Sequence, residues 1–271
     1  MDGLDDQIKL LPSIEVLDDL HDIFQLNISR NKFDTYDYYN IPVPRVTKIL
    51  DEMINKPFLI KWAATIGYKR YLGAKDQATS IGSKVHELIE YYVMHKGKEE
   101  LDINYKKAPV QAPMIDRAYN NFKNWYAYLK KCGYKLKPLY TEKQLVCPYY
   151  AGTTDMIADI GGRIYILDFK TSKKLCYDYI LQLAAYKWII DNGFDDKIHH
   201  IDGIGLIRVD KDKDIFEDLF LTEEIPYQKA MIDEYIRGFG TLLAAYYSNQ
   251  HLENQFNQYY KQYTGIGDIL K

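Results

Sequence analysis

Asp155, Asp168 and Lys170 stand in a stretch, GTTDMIADIGGRIYILDFKTSKKLCYDYILQLAAY from Gly152 to Tyr186, that reads as strand, tight turn, strand and helix. Residues 151 to 160 and 163 to 171 are rich in Ile, Thr, Tyr and Phe, and the Gly161-Gly162 pair between them has the composition of a two-residue hairpin turn. Such a turn predicts a register. With Ile160 opposite Arg163, Asp155 falls opposite Asp168 and Thr153 opposite Lys170. Opposed residues share a face with Cβ atoms about 5 Å apart, and alternation places Lys170 on the face of Asp168. Two facing carboxylates repel, and a fold tolerates them most readily around a cation, so the hairpin alone suggests a metal site. The plainer alternative is a surface ion pair of Asp168 with Lys170 beside an unrelated Asp155.

The elements that must position these groups follow from periodicity and punctuation. Residues 1–40, ending in NKFDTYDYYN, lack a strong period and read as a peripheral lead-in. IPVPRV is extended by its prolines. Thr47 is an N-cap for a helix through Ile54, and Pro57 opens a second helix through about Leu72. A third helix from near Ala74 carries Val85, Leu88, Ile89 and Tyr92 as an apolar stripe, with His86 and Glu90 one turn apart beside it. A fourth spans Met114 to Lys131, and PLYTEKQLVCP is a strand. After the hairpin come a helix over 177–192 closed by Gly193, strands at 201–209 and 215–221, and helices at 227–248 and 251–262. The expected class is α/β (α+β): a helical part over about 41–135, a core over about 136–225 and C-terminal helices over about 226–265, all in one domain spanning 41–271.

Composition narrows the class. A chain of 271 residues, 47% hydrophobic, can bury a substantial core, and a net charge of −3 gives no general attraction to nucleic acid, so such a partner needs a local basic surface. Cys132, Cys147 and Cys176 are far apart, which argues against a disulfide framework, a zinc knuckle or an iron–sulfur cluster and for a reduced, cytoplasmic setting. No apolar run has membrane-spanning length, so no membrane partner is expected. The 26 tyrosines fit an AT-rich genome as well as an aromatic function.

The ordered motifs G-T-T-D at 152–155, I-L-D-F-K-T-S-K at 166–173 and Q-L-A-A-Y at 182–186 resemble the PD-(D/E)xK nuclease superfamily, particularly its RecB-type, phage-type exonuclease branch. Upstream, I-G-S-K-V-H-E-L-I-E at 81–90 is similar to that branch's helical histidine motif, and P-R-V-T-K-I-L at 44–50 to its opening segment. A single D-x-K arises by chance in many proteins; ordered elements with a sensible register are the stronger signal. Thr154 stands where the superfamily name has proline, and Arg45 where a serine is frequent.

The resemblance implies a restriction-endonuclease-like central mixed sheet flanked by helices, and a metal-dependent DNA exonuclease of recombination, replication or repair. Phosphodiester hydrolysis at neutral pH needs an activated water and relief of transition-state charge, which one or two Mg²⁺ or Mn²⁺ ions supply. The implied metal ligands are Asp155, Asp168, the backbone carbonyl of Phe169, His86 and Glu142, all oxygen donors except the imidazole, which also admits Mn²⁺. Lys170 would orient the attacking water or offset phosphate charge, and Gln182 would position it or the DNA backbone. Thr171, Ser172, Lys173, Lys174, Lys84 and Tyr186 are implied DNA contacts. The implied partner is DNA with a single-stranded segment or end, and a single-strand-binding or recombination protein beyond it. Lys69, Arg70, Lys75 and Lys84 offer a basic approach, while Trp62 and Tyr68 are assigned to core packing in preference to stacking on a strand. A structure-specific or site-specific endonuclease, a non-catalytic nucleic-acid-binding relative and a structural cation-binding protein remain the alternatives. No GxxxxGK[ST] is present, so no helicase activity is expected.

Overall fold

The computed structural model describes residues 35–39, 41–98 and 111–262. Strands β1 (Thr35–Tyr38) and β2 (Ile41–Pro44) pair antiparallel, so the end of the expected lead-in is ordered strand; the rest of 1–40 lies outside the described residues. Then come α1 (Val46–Met53), α2 (Pro57–Ile66), α3 (Tyr68–Met94) and α4 (Ala112–Lys131). The second and third helices divide at Gly67, not between Leu72 and Ala74 as the sequence reading has it. Gly67 has φ +86, a conformation that ends α2, while Gly73 continues α3 as an ordinary helical residue.

The sheet follows: β3 (Leu136–Val146), β4 (Ala151–Ile160), β5 (Arg163–Lys170), then α5 (Tyr177–Asp191), β6 (Gly203–Val209), β7 (Phe216–Thr222) and a single C-terminal helix α6 (Pro226–Gln262). Two helices were expected where α6 runs unbroken. No Gly or Pro lies between Gly240 and Gly265, so no strong helix breaker stands at Asn249-Gln250. The strands lie in the order β3-β4-β5-β6-β7, antiparallel except for the parallel β5–β6 pair, which α5 connects.

Alternation along the central strands assigns each neighbouring residue to a different core. Ile157, Ile166, Ile204 and Leu206 pack with α1, α5 and α6, whereas Met156, Leu167, Phe169 and Ile207 pack with α3 and α4. The result is a mixed five-stranded sheet between two helical layers. Helix α5 lies between the sheet and α6, and its run from Ile180 to Ile190 is buried on every side. Its end is a hydrogen-bonded glycine cap: Phe194 N–H donates to Ile189 O at 3.1 Å and Gly193 N–H to Ile190 O at 3.0 Å. Among the described residues no helix is long and apolar enough to cross a membrane.

Candidate metal and phosphodiester site

The Gly161-Gly162 turn, with φ +66 and +87, sets the expected register from Ile160–Arg163 to Met156–Leu167. There the ladder stops. Asp155 Oδ2 accepts the Phe169 N–H at 2.7 Å, in the place a β4 carbonyl would otherwise take, and β5 continues along β6 from Asp168–Leu206 to Lys170–Arg208. Asp155 and Asp168 are therefore adjacent where the two strands part, and the expected Thr153–Lys170 pair does not form. Thr153 Oγ1 instead shares a 2.9 Å hydrogen bond with the Tyr36 hydroxyl.

Helix α3 delivers His86 to this point. Its Nδ1 lies 3.4 Å from Asp155 Oδ1, long for a hydrogen bond but close for an ion pair. Glu142 comes from β3, and one ligand atom from each of His86, Glu142 and Asp155 lie within 4.8 Å of one another. Glu142 has φ +46, a left-handed conformation in mid-strand that costs a non-glycine residue about 1 kcal/mol or more. Glu90, one turn from His86, accepts the Thr141 hydroxyl at 2.6 Å and so fastens α3 to the strand that carries Glu142.

Asp168, next to the Phe169 N–H that Asp155 accepts, is 3% exposed. Its Oδ1 accepts from Lys170 Nζ at 2.8 Å, and its buried Oδ2 has no hydrogen-bond partner among the described residues. An orphaned buried carboxylate oxygen is uncommon unless something else occupies it. Lys170 also lies 4.8 Å from the Tyr179 ring centroid. Asp168 is thus buried and Lys170 half-buried, so the two do not form the exposed surface pair of the plainer reading.

The charges interact strongly. Burial pushes Asp168 up to about 6, with Lys170 opposing and Asp155 reinforcing the shift. Burial also disfavours ionised Asp155, yet His86 and Lys170 hold it below the usual carboxylate range. For His86 burial pulls downward, but Asp155 outweighs it and the net pKa rises to about 9. Lys170 follows the same balance, burial lowering its pKa and Asp168 and Asp155 raising it on balance. Glu142 is raised by burial first and then by Asp155. Asp155 raises the pKa of both Asp168 and Glu142, so the three carboxylates stand close enough to repel one another. The donor set of carboxylate oxygens and one imidazole fits Mg²⁺ or Mn²⁺.

The remaining expected residues fall around this centre. Gln182 on α5 is buried and donates to the Tyr186 hydroxyl at 3.2 Å. Tyr186 is 2% exposed and packed against Gly152, so it lies inside the protein rather than at a surface a strand would touch. Lys84 is half-buried beside Glu87 at 3.0 Å. After β5, Thr171 and Ser172 are half-buried and Lys173 and Lys174 exposed.

Sequence reasoning passed over Arg208. It is 2% exposed, bonds Asp210 and Glu217, and donates to Ser172 O at 3.3 Å, bracing the loop that follows Lys170. The available signal was one charge inside the apolar strand GIGLIRV. Trp62 and Tyr68, expected in the core, are 41% and 70% exposed.

No family model matches this chain, and no curated protein matches it. Among solved structures, that of SSO0001 is similar at a TM-score of 0.33 and 12% identity over 84% of this chain and 86% of the other, a likeness too distant to bear on the site.

Proposed function

We propose that the chain is a metal-dependent DNA exonuclease with a restriction-endonuclease-like core, of the PD-(D/E)xK type that its motifs resemble. The observation that carries this reading is the convergence of His86, Glu142 and Asp155 from a helix and two strands, with Asp155 bonded to the backbone next to a buried Asp168 that holds Lys170 and whose Oδ2 has no hydrogen-bond partner among the described residues. A surface ion pair would need none of this. His86, Asp155, Asp168, Glu142 and the Phe169 carbonyl would hold one or two Mg²⁺ or Mn²⁺ ions. Bound there, the metal would supply positive charge to the scissile phosphate and acidify a water.

The protein's own groups do the rest. Lys170 stays protonated, because its raised pKa keeps the ammonium charged, and its remaining N–H groups can hold a water or a phosphate oxygen. Asp168 fixes that ammonium through Oδ1. Asp155 ties its own orientation to the β5 backbone through Phe169 N–H, so the carboxylate and the lysine strand move together. Gln182 and Tyr186 hold each other on α5 behind the pair, a positioning contact.

End-labelled single- and double-stranded DNA, linear and circular, incubated with Mg²⁺ or Mn²⁺ beside Asp168→Ala and Lys170→Ala, tests the reading. Release of nucleotides from ends, lost in both variants, is the expected result. Cleavage that persists in both variants would sink the mechanism, and cutting of closed circles would replace exonuclease by endonuclease.

A further inference from the structure

Helix α2 and the first turns of α3 form a hairpin broken at Gly67, and no residue from Asn55 to Ser80 is buried. The segment is nevertheless apolar and aromatic: Phe58 is 56% exposed, Ile60 67%, Trp62 41% and Tyr68 70%. Trp62 and Tyr68 both meet Tyr71, at ring-centroid distances of 5.4 and 6.4 Å, so the rings form one connected surface. Clustered apolar surface of this kind marks an interaction site.

Charge selects the partner. Over residues 57–80 Lys61, Lys69, Arg70 and Lys75 are set against one acid, Asp76, in a chain whose net charge is −3. All four cations are exposed, and no ion pair among the described residues engages them. An apolar protein partner would use the rings and leave the cations; a single strand of DNA uses both, since its bases stack on aromatic faces and its phosphates need cations. Position agrees. Helix α3 continues to His86, about 27 Å along its axis from Tyr68. On the way, a Cβ at Gly82 would stand 3.6 Å from Thr171 Oγ1, and Lys174 Nζ lies 5.6 Å from the Phe58 ring centroid, joining the hairpin to the loop after β5.

We propose that the α2–α3 hairpin is a docking surface for single-stranded DNA: bases stack on Trp62 and Tyr68, and Lys61, Lys69, Arg70 and Lys75 take the phosphates. The direction in which the strand is led, toward His86, rests on the nuclease reading; the docking itself does not.

The test uses the full chain in EDTA with labelled oligo(dT), following anisotropy and tryptophan emission. Trp125 and Trp188 are 0% and 9% exposed, so quenching by DNA reports Trp62. The expected result is a quench on binding, affinity about tenfold weaker or worse in Trp62→Ala/Tyr68→Ala, and near-native affinity in Trp62→Phe. Replacing the four cations by Gln should flatten the slope of log affinity against log salt by about 3. Unchanged affinity in the ring variant would overturn the proposal, as would tighter binding of blunt duplex with the same quench. A dimer that Ile60→Glu dissociates, with no quench by DNA, would assign the face to a second copy and equally overturn it. The two readings fail separately. Docking without hydrolysis by the metal-loaded wild type leaves the surface and removes the nuclease, whereas hydrolysis with unchanged KM in the ring variant does the reverse.

Discussion

Helices α2 and α5 are both apolar, yet α5 is buried along nearly its whole length while α2 buries no residue. Helix α5 has the sheet on one side and α6 on the other, so every face finds a partner. Among the described residues, helix α2 touches little beyond α3. Apolar composition therefore means core in one case and available surface in the other, and only the number of neighbouring layers distinguishes them. The site lies between these extremes, with Asp168, Lys170 and Gln182 on the packed side and His86 on the helix that leads out to the exposed hairpin.

Substitutions should separate the packed wall from the open one. The largest effect expected is on chemistry: Lys170→Met, which keeps the stem but removes the charge, should slow hydrolysis by about a hundred- to a thousandfold while leaving DNA affinity nearly unchanged, measured in single-turnover assays. Next, Ile189→Ala in α5 should lower unfolding free energy by about 2–5 kcal/mol in urea titrations, whereas Ile60→Ala in α2 should stay within about 0.5 kcal/mol. An Ile60→Ala effect as large as that of Ile189→Ala would erase the contrast.

A smaller effect is expected at Gly152. A Cβ there would stand 2.8 Å from Tyr186 Cζ, so Gly152→Ala should cost about 1–3 kcal/mol as the ring is displaced, unless Tyr186→Phe accompanies it and recovers part of the loss. The smallest concerns pH in metal-free protein. His86 has a folded pKa of about 9 against an ordinary 6.5, so its ion pair with Asp155 stabilises the fold fully below about pH 6.5 and is lost as pH rises through about 9. Urea midpoints across that window should fall in the wild type and flatten in His86→Gln. Saturating Mg²⁺ should reverse the dependence, because a ligand imidazole must be neutral.

Local strand pairing was legible in the sequence, and global competition was not. The Gly161-Gly162 pair sets the hairpin register because a two-residue turn leaves the strands one way to pair. The register fails past Met156 because a side chain, Asp155, takes a backbone donor, which no pattern of apolar residues announces. His86 was singled out by the resemblance of residues 81–90 to a helical histidine motif, not by its place beside the stripe of α3, and its approach to Asp155 depends on how α3 crosses the sheet. The break at Gly67 was hidden by a second glycine at 73, equal in composition and different in φ. Trp62 and Tyr68 were misplaced because aromatic residues usually find a core, and whether a layer of the described residues covers α2 depends on the tertiary arrangement, not on the composition of α2 itself.

The left-handed backbone at Glu142 has a consequence for anyone evolving this protein. Glycine would adopt that conformation without strain, so a library screened for thermal resistance alone should enrich Glu142→Gly. The same variant would lack the carboxylate that stands near His86 and Asp155. Selection for robustness and selection for activity would thus pull this one codon in opposite directions, and the winner would show which of the two the natural chain has been kept for.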